Sequence, residues 1–454
     1  MLNKLLLRAV SAAMLASFAL QGNAGISEDE ANRLGNDLTP LGGIKAGNDD
    51  GSIPEWTGGI TEPPAGYEAG QHHPDPFADD ESLMRIDASN MAEHADLLTE
   101  GHKALLNAYG DTYYMDVYPT RRSASAPQRV YDATKNIATT ATLAEGGNGV
   151  LGAMVGIPFP IPTNGLEVIW NHILRWRALG GERFYGQAAV TRSGKFTLVQ
   201  FSDEIYVPYA DSSLSIEDLE NVIIFFKEKT VAPARLAGRV LLVHETLDQA
   251  KENRKAWVYN PGQRRVRRAP NVAFDNPRSG SDGLMTSDQY DMFNGSPERY
   301  NWELVGKREM YVPYNSYRVH QPDLKYADYL KPLHVDPQYL RYEKHRVWVV
   351  DSVLKEGMRH QYKRRTFYID EDSWQILSVD VYDNRDQLWR VSEGHGINYY
   401  DVLNYWTTLE AHYDLQSNRY IAFGLDNEAS MYNLATVPKK ADFTTSALRR
   451  AGTR

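Results

Sequence analysis

The sequence predicts an α+β protein built on a large, strongly curved antiparallel sheet. The sheet is an incomplete barrel, covered by helices and an extended N-terminal arm. Three observations lead there. From about Gly181 onward, strand-like segments follow one another through short turns, as in an antiparallel meander. There is no alternation of strand and helix of the kind that builds a parallel sheet. The chain also carries 28 Tyr and 9 Trp against 13 Phe, and aromatic rings with a polar tip suit half-buried strand faces and boundaries between water and apolar matter.

Taken in order, the chain opens with Lys4 and Arg8 and no acid before an apolar run over residues 9–20, followed by Gly22-Asn23-Ala24. That is the pattern of a secretory leader with cleavage near Ala24. The run is shorter than the roughly 20 residues a bilayer crossing needs. The expected location is therefore the periplasm. There is no cysteine, so neither disulfides nor an acylated cysteine is expected. The sequence divides into a leader (1–24), an N-terminal arm with a helical segment (25–110), an antiparallel β-rich domain (111–430) and a C-terminal tail (431–454).

Within the arm, Ser27 followed three residues later by Glu30 is a capping box for a short helix over 27–34. Turn chemistry then dominates, as in Leu38-Thr39-Pro40-Leu41-Gly42-Gly43 and Asn48-Asp49-Asp50-Gly51. After Asp87-Ala88-Ser89-Asn90 a helix is expected as far as Gly110, on the spacing of Ala92, Leu97, Leu98, Ala104, Leu105 and Leu106. Residues 113–119 read as the first strand, 136–144 as a helix, 146–162 as a rigid Gly- and Pro-rich loop, and 166–177 as a helix. Strands then follow at 184–191, 195–201, 239–245, 255–260, 302–312, 341–354, 360–369, 375–383 and 387–393. A helix over 215–229 interrupts them. The basic tail 441–454 reads as a short helix.

Function classes narrow by exclusion. Asp and Glu outnumber Lys and Arg by 59 to 49, which disfavours nucleic acid as the main partner. No phosphate-binding glycine loop, nucleophile elbow or HExxH zinc motif is present, and His244-Glu245 lacks a second histidine. Neither a cofactor nor a metal site is expected. Asn48-Asp49-Asp50-Gly51 puts Ala46 and Thr57 where a calcium loop needs carboxylates, so a plain Asp-Gly turn is the better reading. Asp370-Glu371-Asp372 reads as a hairpin tip.

Two polar clusters remain, Trp170-Asn171-His172 and the stretch from Arg341 to Arg346 that contains His345. His172 is either a base or, as the more ordinary alternative, a structural hydrogen-bonder. The run Arg264-Arg265-Val266-Arg267-Arg268 follows a Pro261-Gly262 turn. As a strand it puts Arg265 and Arg267 on one face and Arg264, Val266 and Arg268 on the other. It is either a solvated basic face paired with local acids or an anion site for headgroups or an acidic partner. We expect one pair near a cavity entrance or partner surface and the other in structural ion pairs. The candidate ligand- or partner-binding residues are therefore Trp170, His172, Arg264, Arg265, Arg267, Arg268, His345 and Trp348, with no catalytic residue.

Several longer blocks carry a resemblance. They are Leu38-Thr39-Pro40, Gly51-Ser52-Ile53-Pro54-Glu55-Trp56-Thr57-Gly58-Gly59, Tyr118-Pro119-Thr120-Arg121-Arg122, Gly156-Ile157-Pro158-Phe159-Pro160, Trp257-Val258-Tyr259-Asn260-Pro261-Gly262 and Tyr368-Ile369-Asp370-Glu371-Asp372-Ser373-Trp374. Together they resemble the bacterial family called domain of unknown function 1329, across nearly the whole chain beyond the leader. That family is similar to outer-membrane lipoprotein-sorting proteins of the LolA and LolB type. The resemblance implies an unclosed antiparallel barrel around an apolar cavity for acyl chains, and an association with an inner-membrane exporter of the resistance-nodulation-division type.

The expected function is thus a periplasmic carrier, not an enzyme, that binds a lipid or other hydrophobic molecule and shuttles it between membranes. The alternative is a structural or assembly factor bridging an inner-membrane transporter and an outer-membrane protein. A third reading is a hydrolase built around His172 or His345.

Overall fold

The computed structural model describes residues 25–453; the leader expected over 1–24 lies outside them. Two meanders make up most of one 15-stranded sheet. The first is β5 (Gly180–Val190), β6 (Phe196–Tyr206), β7 (Val222–Ala232), β8 (Val240–Thr246), β9 (Lys255–Asn260) and β10 (Arg265–Arg268). The second is β11 (Tyr300–Pro313), β12 (Tyr342–Leu354), β13 (Arg364–Asp370), β14 (Ile376–Tyr382), β15 (Leu388–Tyr399), β16 (Asn404–Asp414) and β17 (Arg419–Leu425).

The last strand, β17, pairs antiparallel with the first, β5, which joins the two meanders edge to edge. Two short strands, β1 (Met84–Ile86) and β2 (Met115–Val117), extend the sheet beyond β12, where Tyr342 and Val117 make its one parallel contact. A separate ribbon joins β3 (Thr142–Leu143) to β4 (Val150–Leu151). The main strand order runs from β1 at one end to β10 at the other, with β11 paired to β12 off that path, and the sheet stays unclosed.

Both faces of the joined region are buried. Along β17, Tyr420 and Ala422 belong to one hydrophobic core, while Ile421 and Phe423 belong to a second core on the opposite face. The second face is covered by α4 (Gly165–Leu174), which packs on β11 and β12. Asn164 caps that helix by accepting from the Glu167 amide. Apolar residues nearly all round its axis require cover on every side. The first face is covered by α2 (Glu100–Ala108), whose Thr99 cap accepts from the His102 amide. It packs on β14 and β15. Gly101 sits so close there that an added Cβ would lie 2.4 Å from Asp380 Oδ1.

The arm clamps the β12–β14 hairpins. The Trp374 indole donates to the Leu41 carbonyl at 3.0 Å, and the Ile44 amide to Glu371 at 3.0 Å. Buried Arg122 pairs with Asp372 at 2.7 Å and with Glu371 at 3.3 Å.

Several expectations hold in detail. The Ser27–Glu30 capping box opens α1 (Glu28–Ala31), the 192–194 turn links β5 to β6, and the tail forms α6 (Thr445–Thr453). Others are corrected. The helix expected over 215–229 is largely strand β7. Its run Val222-Ile223-Ile224-Phe225-Phe226 is apolar at every position because one face is buried and the other is half-buried against further apolar residues, not because it winds. Residues 128–137, not 136–144, form helix α3 (Gln128–Ile137), which starts directly after the rigid backbone of Pro127. The segment expected to be one helix up to Gly110 breaks into a 3-10 stretch, Met91–Leu97, and α2. The strand read as first is preceded by β1. Strands β16 and β17 were not expected at all. They lack alternation, since every residue of β16 is buried. Among the described residues no helix is long and apolar enough to cross a membrane.

Candidate functional site: a cavity between the first meander and its lid

Period-2 geometry sends alternate residues of β6–β9 to opposite faces. On one face Phe225, Val240, Leu242 and Tyr259 pack against Phe443 and Leu448 of the C-terminal segment. On the other, cross-strand rows are in register. Ile205, Phe226, Val243 and Ala256 form one row. Asp203, Glu228, Leu241, Val258 and Arg267 form the next. This second face fronts a partly open cavity. The connection between β10 and β11, residues 269–299, lies across it and contributes Val272, Pro277, Arg278, Tyr290 and Asp291; Trp406 of β16 adds a further wall residue. A largely apolar cavity with a few placed polar groups is the usual form of a small-molecule site.

The lid is pinned by charge at both ends. Arg278 pairs with Glu228 at 2.5 Å and donates to Gln187 at 3.1 Å. The Gln187 amide in turn donates to the Ser279 carbonyl at 2.7 Å. Asp291 is bracketed by Arg175 at 2.6 Å and Arg177 at 2.8 Å. Burial opposes charge on Asp291, yet the two guanidiniums hold its carboxyl below the usual carboxylate range. Asp288 is held the same way: burial is overcome by Arg365 at 2.8 Å and His360 at 3.1 Å. Arg254 joins Glu245 of β8 and donates to the Val272 carbonyl of the lid. Burial raises the pKa of Glu245 in spite of that pairing. These closely paired charges orient the lid against the sheet; removing one partner of a buried pair costs about 3–5 kcal/mol.

The residues singled out from sequence fall into two groups. Trp170, His172, His345 and Trp348 do not line this cavity. The Trp170 indole donates to the Gly147 carbonyl. His172 is fully buried, with Nδ1 beside the Trp374 carbonyl and Nε2 beside the carbonyls of Asp291 and Phe293, each at about 3 Å. Burial, and then Arg175, lower its pKa well below the ordinary histidine value. His345 stacks on Tyr314 and contacts Glu343 at 2.9 Å. Trp348 stacks on Trp374 with Lys307 over its ring.

The second group is the arginine run, which lies on edge strand β10. Arg265 and Arg267 pair with Asn260 and Val258, which puts them on the cavity's face of the sheet. Arg268 lies opposite Trp257 on the other face, its guanidinium 5.5 Å from the ring centroid. Arg264 occupies the turn with φ 52°. The expected structural ion pairs are not found: among the described residues none of the four guanidiniums has a carboxylate within salt-bridge distance.

Sequence reading missed the cavity's own polar residues, Arg239, Arg278, Glu228, Glu245 and Arg254. The alternation Ile224, Phe226, Glu228, Thr230 was the available signal. It was masked by the apolar residues interleaved on the other face.

His345, Asp370 and Asp372 also lie close together and buried. Asp372 is engaged by Arg122, and Asp370 accepts from Tyr314 and Ser373, so these carboxylates already serve as hydrogen-bond acceptors. They form the 370–372 hairpin tip expected from sequence.

Comparison with known proteins places the chain. It is 47% identical over 441 residues to the uncharacterized protein PA3922 of Pseudomonas aeruginosa, with 97% of each chain covered. Among solved structures it is similar to a DUF1329 family protein of Desulfovibrio piger, at 16% identity and TM-score 0.41, covering 60% of this chain and 92% of that one. It is also similar to the LolA superfamily protein NE2245 of Nitrosomonas europaea, at 11% identity and TM-score 0.39, covering 63% and 100%. The model of the family described as protein of unknown function (DUF1329) matches residues 85–449, and on that match the chain belongs to this family.

Proposed function

We propose that the protein is a periplasmic carrier that binds a lipid or another hydrophobic molecule in the β6–β9 cavity and moves it between membranes. The observation that carries this reading is the cavity itself: an apolar trough on a sheet face, roofed by a separate segment and open at one side. Ile224 and Phe226 are only half-buried, so their apolar surface is available to a guest. Each methylene transferred from water into such a site contributes roughly 0.8 kcal/mol, enough for a long chain to outweigh the losses of association. The reading is one of binding, without catalysis.

A carrier needs such a cavity, whereas a bridge between two membrane proteins has no use for one; the trough therefore favours the carrier. An inner-membrane exporter of the resistance-nodulation-division type is the proposed source or acceptor, and an outer-membrane protein the counterpart. Arg265 and Arg267, on the cavity's face of the edge strand, are the proposed contact for headgroups or an acidic partner.

Native mass spectrometry of the protein isolated from the periplasm is expected to find a co-purifying hydrophobic molecule. Leu241→Trp, which fills the trough, is expected to lower affinity for a fluorescent acyl probe at least tenfold. A ligand-free protein that also fails to bind the probe would refute the carrier reading.

A further inference from the structure

Resting on that reading, we propose that the cavity takes an acidic amphiphile, a hydrocarbon chain ending in a carboxylate or phosphate, and that Arg239 receives its headgroup. Charge is the first argument. Four guanidiniums line the cavity, Arg177, Arg239, Arg254 and Arg278, against three carboxylates, Glu228, Glu245 and Asp291. Three of the four are matched: Arg278 to Glu228 at 2.5 Å, Arg254 to Glu245 at 2.7 Å and Arg177 to Asp291 at 2.8 Å. Asp291 is shared with Arg175 as well, so it has no spare charge to lend. Arg239 is left over. Among the described residues its side chain makes no hydrogen bond or ion pair.

Position is the second argument. Arg239 immediately precedes β8, and its carbonyl accepts from the Thr230 amide at 2.9 Å. Glu245 and its partner Arg254 stand toward the opposite end of β8. The six residue steps from Arg239 to Glu245 span about 20 Å at roughly 3.3 Å per residue. The wall between those ends is made by Leu241 and Val243, with Phe226 and Val258 beside them. The trough thus has an apolar floor between its ends, with the neutralised Glu228–Arg278 pair beside Leu241, and one end is marked by an unmatched cation.

Energetics agree. Arg239 is half-buried. Burial, helped by the neighbouring Arg278 and opposed by Glu228, lowers its pKa, as befits a cation held partly out of water without its own counter-ion. A bound anion would supply the missing charge-assisted hydrogen bonds. The more ordinary role would be a guanidinium that merely reaches water past its apolar stem, and that role makes no distinction between headgroups.

The test compares hexadecanoic acid, hexadecyl phosphate and hexadecanol as ligands of the full chain, by displacement of a fluorescent acyl probe. Both anions are expected to bind at least tenfold more tightly than the alcohol. The tighter of the two identifies the headgroup as carboxylate or phosphate. In Arg239→Gln the anions should fall to the level of the alcohol, while Arg239→Lys retains most of the preference. Equal affinities for all three compounds in the unaltered protein would overturn the proposal without recourse to any variant, and so would a preference that survives Arg239→Gln. Binding of none of the three would instead overturn the carrier reading on which it rests.

Discussion

The two meanders share one sheet and one strand chemistry, yet one is hollow and the other solid. In β5–β10 one face of β7, β8 and β9 packs under the C-terminal helix and the other fronts the cavity, and half-buried residues are interspersed with buried ones along β6 and β7. In β13–β17 both faces are covered, and β14 and β16 are buried from end to end. Several of this meander's buried charges are paired internally. Glu393 accepts from Tyr342 at 2.8 Å and contacts His102 at 3.2 Å, and Glu343 pairs with Arg341 at 2.6 Å. The difference teaches that these charges in the solid half are structural, whereas one of the cations that line the hollow half's cavity is left without a partner. Cover, more than strand composition, decides which half can hold a guest.

The sharpest way to break this comparison is at the clamp on the solid half. Arg122→Ala leaves Asp372 buried without its counter-charge, and is expected to lower unfolding stability by about 3–5 kcal/mol. The loss is read from the urea midpoint, together with faster proteolysis of the arm. A change below about 1 kcal/mol would mean that the arm is not held by this pair.

A matched truncation compares the halves directly. Phe367 in β13 is fully buried between Phe293 and Trp302; Phe226 in β7 faces the cavity. Phe367→Ala is expected to cost about 2–3 kcal/mol more than Phe226→Ala, since a large-to-small change is most costly where no existing space relieves it. Equal losses would show the cavity to be closed in solution.

The pH dependence sharpens the comparison further. Burial pushes the Asp380 carboxyl up to about 6, although Tyr368 and the Gly101 amide both donate to it. An unfolded aspartate titrates near ~3.9, so the folded state holds this proton more tightly. Its contribution to stability is full below about pH 4 and is lost as pH rises through about 6. Asp380→Asn is therefore expected to gain on the unaltered protein by on the order of 2 kcal/mol between pH 4 and 7, and to run parallel to it above. A difference that does not change with pH would place the titration elsewhere.

The smallest effect on stability is expected at the hollow half's edge. Arg265→Glu with Arg267→Glu touches exposed side chains, and should shift the unfolding free energy by no more than about 0.5 kcal/mol. Ligand loading or delivery should fall all the same. A large loss of stability with normal loading would make the run structural.

What the sequence by itself determined was local. The Ser27–Glu30 box, the 192–194 turn and strand β9 follow from side chains within a few residues of one another. The facing of Arg265 and Arg267 follows from the period of a strand alone. The one-faced strands were legible because alternation survives when a single face is buried. Cover was decided only by the tertiary structure. The run at 222–226 could be assigned to a strand only once residues 443–448 lay over one face and residues 269–299 across the other. β16 and β17 lost their alternation for the same reason.

The cavity was beyond local reading, because its polar residues take their meaning from partners far along the chain. Glu228 is neutralised by Arg278, 50 residues away, and Asp372 by Arg122, 250 residues away. That Arg239 is the cation left over is a property of the whole set of pairings, since charge is matched by proximity in space, and no stretch of sequence records which arginine the fold leaves unmatched.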